Sequence, residues 1–584
     1  MGRGRPKGSK NKPKERLINA QERSAHRDAG ENDESNSDHD RDSDLPVTLE
    51  DNGQIIGMEN ADSDVEGANA EIIDDGTDFQ FADDDEYGEL FSKLALLPQL
   101  EISMNSQRWK ECKKAIGNLC REYLREQTDE NLFNILSFWK LVKNRGHDKQ
   151  IKSNIKQLGE GKGREILLKR LQNIHISPIL DTVDEQNADE DEDIADFLSD
   201  AEIKRATELI EKGALSKAAN IIEKATKGVA SLSKQVVDTL RILNPKGPIN
   251  PFGNDAGPEA PIMNDGEILS SVMKDLNKQA SAGIDGWTVQ RMQRCFGCIN
   301  DDDEEAALFR SFLRQLYMSM IQGTAPGASM MTAARLTPLW KLNGGIRPIC
   351  CGILFYRVGM RYAIKSLLRN ENILPCQLGV GSKGGVEPIL ELLQQSVDES
   401  TVEHKRYLIS LDLKNAFNLL NRSYLAKGIQ ARAPQLFKLA KYAYDTPAPL
   451  ILANGKTIKV ISNSQGTRQG GPEANALFTI GISPLLQQLT EECLSPTDQL
   501  VAYLDNIYVA TSDEHLVVDI QDFFSHYEDQ TGCKLNMDKC EVIDLYEVKS
   551  GIDSIETLGS CIGTVQKRKD FLTKKLQIEE KCID

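Results

Sequence analysis

Two aspartates stand where a side chain could do metal-dependent chemistry. Asp412 ends the apolar run Tyr407-Leu408-Ile409-Ser410-Leu411. The residues after it, KNAFNLLNRSYLAKGI, carry helical apolar spacing through Ala416, Leu419, Leu420 and Leu425. A buried strand is therefore expected to hand over to a helix at Asp412. The plain alternative is a helix N-cap, the usual role of an isolated Asp at such a junction. Asp505 lies in LVAYLDNIYVA (500–510), which reads as strand, tight turn, strand. Here the plain alternative is an ordinary hairpin tip. The combination points further. Nucleotidyl transfer uses two divalent ions about 3.5–4 Å apart to clamp the attacking and leaving oxygens. Hard Mg²⁺ takes carboxylate, phosphate and water oxygens. One Asp at a strand end and one on a neighbouring hairpin can converge on such an ion pair.

The elements that must position this pair occupy the C-terminal half of a 584-residue chain, long enough for about two to four domains. The net charge is −19, but it is blockwise. Residues 1–16 are strongly basic, and 28–86 and 181–200 strongly acidic. Like-charge blocks are usually tails or linkers, so the average says little about partners. The expected organisation is a basic arm at 1–16, an acidic disordered tract at 17–86, a helical module at 87–180, an acidic linker at 181–198, a helical hairpin with a Pro-rich loop at 199–261, and the main domain at 262–584. The first tract has too little apolar content to fold. In the helical module, Leu90, Leu94, Leu97, Trp109, Ile116 and Trp139 recur at helical intervals. The twelve cysteines have no regular spacing, and Cys295–Cys298 is a lone CxxC without a zinc partner pair. Reduced thiols are expected. The sequence has no run of about 18 apolar residues, so no membrane span is expected.

Seven segments, in order, resemble the blocks of the reverse transcriptase family, in the flavour of non-long-terminal-repeat (LINE-like) retrotransposons. They are SAGIDGWT (281–288), LTPLWKLNGGIRPI (336–349), YLISLDLKNAFN (407–418), GTRQGGPEANALF (466–478), AYLDN (502–506), GCKLNMDKCEV (532–542) and LGSCIG (558–563). The resemblance spans roughly 200–563. It implies an α+β right-hand fingers-and-palm with an antiparallel palm sheet, preceded by helical segments. It implies an RNA-directed DNA polymerase using Mg²⁺ or Mn²⁺, an RNA template, a DNA primer and dNTPs. Asp412 and Asp505 would then be catalytic metal ligands, with the Leu413 carbonyl and Asn506 beside them. Phe417 would be the aromatic gate that crowds a sugar 2′-OH, with a core aromatic as the plain alternative. Lys341 and Arg347, flanking the turn Asn343-Gly344-Gly345, would close over the triphosphate, Arg as a fork and Lys as a point charge. Solvated surface charge is the alternative for both. Gln469 and Gly470 would line the nucleotide pocket, and Lys539 would sit near the leaving pyrophosphate. Gly379, Gly381 and Lys383 could touch template backbone.

The chain departs from that pattern at the hairpin, which reads YLDN where the family has YxDD. Asn506 is neutral and weakens charge compensation of a metal. Only about twenty residues follow the last block, so a thumb is expected to be largely missing. These departures leave open a catalytically degenerate, truncated or domesticated element protein that acts as a DNA- or chromatin-binding module. The arm Arg3-Gly4-Arg5-Pro6 resembles an AT-hook for the narrow minor groove of A·T-rich genomic DNA. A nuclear-localisation signal or a solvated tail is the alternative, and the nucleus is the expected location.

Overall fold

The computed structural model describes residues 78–98, 106–143, 147–172, 174, 229–261, 266–278, 280–298, 302–340, 345–382, 384–453 and 457–581. Helices and sheets are mixed. Strands β1 (Ala334–Trp340), β2 (Ile346–Gly352), β4 (Ala448–Ala453) and β5 (Ile458–Asn463) form one sheet in the order β2-β1-β4-β5. Its outer pairs are antiparallel, and the central pair β1–β4 is parallel. A second sheet has the order β6-β7-β3-β8, built from β3 (Tyr407–Asp412), β6 (Gln499–Tyr503), β7 (Asn506–Thr511) and β8 (Glu541–Asp544). All its pairs are antiparallel. A short hairpin, β9 (Ile555–Thr557) with β10 (Ser560–Ile562), stands apart.

The second sheet is central because its two middle strands, β3 and β7, are buried and apolar on both faces. Along β3, Ile409 and Leu411 point into the large core and Leu408 into a second core with Val501, Tyr508 and Leu393. A strand covered on both sides needs a near-continuous apolar run rather than alternation, and YLISL supplies it. The expected single helix after Asp412 is two. Ala416–Leu419 is followed by Arg422–Arg432, with a break at Asn421. Asn421 causes it: its side chain accepts a hydrogen bond from Ser423 N (2.8 Å) and caps the second helix.

The helices Ser106–Arg125, Asp129–Leu141, Asp148–Gly159 and Gly163–Leu171 share the large core with the helices that follow residue 266. Trp287 is the junction. It is fully buried, its indole N–H donates to Ile135 O (3.1 Å), and its ring meets Trp139 and Phe355 edge-on. Trp139 in turn stacks on Trp109. The last acidic residues before Tyr87 also join the fold. Asp78 bridges Ile461 on the open edge of β5, and its carboxylate pairs with Arg241 and Lys459. Of the expected hairpin at 199–243, the described part is the helix Lys234–Leu243, capped by Ser233; residues 199–228 lie outside the described residues, as do 1–77. Among the described residues no helix is long and apolar enough to cross a membrane, and the described cysteines are all free.

Candidate active site

Antiparallel pairing brings the two aspartates together. Asp412, the last residue of β3, lies opposite Asn506, the first of β7. Tyr503 and Asn506 are themselves partners, so Leu504 and Asp505 make the two-residue turn between β6 and β7. The helix after β3 starts at Ala416 with Asn415 as its N-cap. Asp412 is therefore not a cap. Asp505 is only 9 % exposed, unlike the tip of an ordinary surface hairpin. Leu504 holds φ +56°, a region in which a side chain costs about 1–2 kcal/mol.

Both carboxyls are pushed up from the usual range. Burial raises Asp505 to about 6, and the neighbouring Asp412 charge adds to the rise. Burial raises Asp412 as well, against the pull of the Asn536 amide and the Lys539 charge. A nearby cation favours the ionised form of both, because it removes the repulsion that burial magnifies. Two buried carboxylates with hard oxygens fit a divalent ion. Among the described residues no group of three His, Cys, Asp or Glu side chains forms a metal cluster, so further ligands would come from backbone carbonyls, water and substrate phosphate.

The return of residues 532–540 to β3 completes the surroundings of Asp412. Leu413 bridges Leu535, and Lys414 N donates to Lys534 O (2.8 Å). Asn536 holds Asp412 twice: its backbone N–H donates to Asp412 O (2.9 Å) and its amide to Asp412 Oδ2 (3.0 Å). Lys539 is close enough to act on the Asp412 charge, and its buried Nζ has no hydrogen-bond partner among the described residues. Asn536 was not legible as a site residue beforehand. The signal lay in the segment GCKLNMDK, whose polar Asn between apolar neighbours had no obvious solvent-facing role.

Phe417 is 5 % exposed and stacks on Phe478 with ring centres 4.4 Å apart. Its carbonyl accepts from Thr467 N (2.7 Å), which ties the 466–470 loop to the β3 end. Gly470 turns this loop at φ +93°, and a Cβ there would stand 2.9 Å from Cys350 O on β2. Exposed Gly470, next to half-buried Gln469, thus lies against the strand that carries Arg347, itself half-buried opposite Leu339. Lys341 lies outside the described residues, as do Lys383 and the arm residues Arg3, Gly4, Arg5 and Pro6.

The 463–473 loop is held from beneath by buried polar groups. Arg422, 1 % exposed, donates to Gly466 O (3.0 Å), Tyr444 O (3.0 Å), Asn463 O (3.1 Å) and Asn463 Oδ1 (2.8 Å). The hydroxyls of Tyr356 and Tyr444 both donate to Glu473 Oε1 at 2.7 Å. The Arg468 guanidinium, also buried, sits 5.0 Å from the Tyr356 ring centre. These five buried side chains, Arg422, Tyr356, Tyr444, Arg468 and Glu473, cost desolvation; what they supply in return is one fixed loop geometry.

Residues 339–567 match the family described as reverse transcriptase (RNA-dependent DNA polymerase). The chain is 26% identical over 284 residues to the retrotransposable element SLACS 132 kDa protein of Trypanosoma brucei gambiense, which covers 48% of this chain and 23% of that one. The chain thus spans about a quarter of that relative's length. Solved structures similar to it include apo telomerase from Candida tropicalis (TM-score 0.32) and telomerase from Candida albicans with a telomeric RNA fragment (TM-score 0.31). Each is 13% identical and covers 40% of this chain and 46% of its own.

Proposed function

We propose, from the premise that residues 339–567 of this chain are a reverse transcriptase domain, that the protein is the RNA-directed DNA polymerase of a non-long-terminal-repeat retrotransposon. The observation that carries this reading is the placement of two buried aspartates side by side: Asp412 at the end of β3, opposite Asn506, and Asp505 in the β6–β7 turn next to Asn506. The sheet β6-β7-β3-β8 serves as the palm and the β1–β2 hairpin as part of the fingers.

In this reading Asp412 and Asp505 hold the divalent ions, with the Leu413 carbonyl at their edge. Mg²⁺ or Mn²⁺ there supplies the positive charge that activates the primer 3′-OH and stabilises the leaving pyrophosphate. Asn536 fixes the Asp412 carboxylate by donating to Oδ2, so the carboxylate that would hold a divalent ion is kept in one orientation. Lys539 brings a buried ammonium, without a hydrogen-bond partner among the described residues, to the same edge, where it can stabilise or protonate the departing phosphate oxygen. Gln469 and Gly470 line the nucleotide pocket, and Arg347, with Lys341, grips the triphosphate. Phe417 limits the room for a 2′-OH.

Asn506 fits an active site. Asp505 already carries the strain of burial and of Asp412, and a neutral neighbour opposite Asp412 adds no third repelling charge. At its other end the arm Arg3-Gly4-Arg5-Pro6 holds A·T-rich genomic DNA in the nucleus, with affinity that falls as salt rises.

The test is primer extension by purified protein on an RNA template with a DNA primer, dNTPs and Mg²⁺ or Mn²⁺. Extension that Asp412→Ala abolishes supports the reading. No extension with either ion, even in Asn506→Asp, would refute it.

A further inference from the structure

The turn that carries Asp505 is strained, and one segment of the chain is shaped to hold it. Leu504 adopts φ +56°, where residues with a Cβ are disfavoured and persist only if their surroundings over-determine them. The segment 376–379 supplies those surroundings. It runs beside β6 as an added strand: Ala502 N donates to Cys376 O (2.7 Å), Leu378 N donates to Ala502 O (2.8 Å), and Gln377 pairs with Ala502 in parallel. Gln377 is 4 % exposed and locked to the helix Ala474–Cys493. Its amide donates to Thr479 O (2.7 Å), and its carbonyl accepts from Ser483 Oγ (2.9 Å). This helix also carries Phe478, the partner of Phe417.

Gly379 ends the segment directly against the turn. A Cβ on it would stand 2.9 Å from Leu504 N, 3.0 Å from Leu504 Cγ and 3.2 Å from Leu504 Cδ2. Its own φ is not in the left-handed region. Glycine is therefore needed here for space, not for backbone freedom. Gly385 closes the same loop in the same way, with a Cβ position 1.9 Å from Leu378 O.

We propose that Gly379 is a positioning residue for metal binding: with Gln377 it forms a seat that clamps Leu504 in its strained turn and so aims the Asp505 carboxylate at the ions. The proposal rests on the reading of Asp505 as a metal ligand. It assigns Gly379 to the hairpin rather than to template backbone.

The experiment compares full-length wild type, Gly379→Ala, Leu504→Gly and Asp505→Asn. Mn²⁺ affinity is measured by electron paramagnetic resonance, and steady-state extension over a range of dNTP concentrations gives kcat and the dNTP KM separately. Circular dichroism melting reports folding. Gly379→Ala pushes on backbone, so the turn must shift; displacements of about 1 Å at a reacting centre can cost about 100-fold in rate. The expected result is Mn²⁺ affinity and kcat each lowered tenfold or more, with dNTP KM within about twofold, since Gln469, Gly470 and Arg347 are untouched. Leu504→Gly relieves φ and removes the clamped side chain. Because glycine tolerates that φ, this variant is expected to fold even where Gly379→Ala does not, and it too is expected to weaken Mn²⁺ binding. Wild-type Mn²⁺ affinity in both folded glycine-seat variants, or in Leu504→Gly alone where Gly379→Ala fails to fold, overturns the proposal while leaving the polymerase reading intact. A wild type that neither extends primers nor loses Mn²⁺ binding on Asp505→Asn overturns the polymerase reading, and this proposal with it.

Discussion

Replacing Asp505 with Asn should make the metal-free protein more stable while removing its activity. The carboxyl is 9 % exposed and raised from 3.8 to about 6, first by burial and then by Asp412. At about 1.4 kcal/mol per pKa unit, keeping it ionised in the fold costs about 3 kcal/mol. The sign follows from the direction of the shift. Below about pH 4 the group is protonated in both folded and unfolded chains, and the cost is absent. It grows between the unfolded value near 4 and the folded value near 6, where the unfolded chain is already ionised and the folded one is not, and is complete above that. Asp505→Asn, which resembles the protonated acid in shape, escapes this cost. In urea unfolding without divalent ions, the variant should exceed wild type by up to about 3 kcal/mol at pH 7.5 and match it near pH 4. Mg²⁺ should then raise the wild type and leave the variant unmoved, because ligand binding to the folded state adds stability. A variant no more stable than wild type at pH 7.5, or a difference that does not change with pH, would refute the reasoning. The result would be a direct instance of a site kept at the expense of stability.

Further outcomes follow from the same geometry. Arg422→Met leaves the buried carbonyls of Tyr444, Asn463 and Gly466 without their donor, so urea unfolding should show a loss of about 3 kcal/mol or more. Under the proposal that Phe417 is the sugar gate, Phe417→Val, which also weakens the stack on Phe478, should lower the preference for dNTP over rNTP in extension assays by about tenfold or more; unchanged discrimination would count against the gate. Asn506→Asp puts a third carboxylate opposite Asp412, which should lower metal-free stability at neutral pH and shift the Mg²⁺ activation midpoint to lower concentration. A midpoint that rises would show that Asn506 is itself the better ligand here.

The parts of the site that lie within short segments were legible in the sequence. The run YLISL followed by Asp marks a doubly covered strand, and LVAYLDNIYVA marks a hairpin, because apolar content and turn chemistry act locally. What joins them is non-local. That β3 pairs with both β7 and β8, that β1 pairs in parallel with β4, and that 376–379 extends β6 are set by chain returns across tens to more than a hundred residues. No spacing rule gives those returns. Charged residues were the second blind spot. Arg422, Arg468 and Glu473 are among the most buried side chains of the molecule, whereas such residues are nearly always exposed unless paired. The helices of 106–171 were expected as a module of their own. Trp287 shows why they are not separate: one indole buried against Ile135, Trp139 and Phe355 joins them to the main domain.

The central claim is that Asp412 and Asp505 together hold a pair of divalent ions for nucleotidyl transfer. Its most direct measurement is anomalous diffraction from a crystal of the protein with RNA template, DNA primer, a non-hydrolysable dNTP and Mn²⁺. Two peaks about 3.5–4 Å apart, bridged by these two carboxylates and the triphosphate, are predicted. Manganese bound elsewhere, or a filled nucleotide site with neither carboxylate in contact with an ion, would contradict the account.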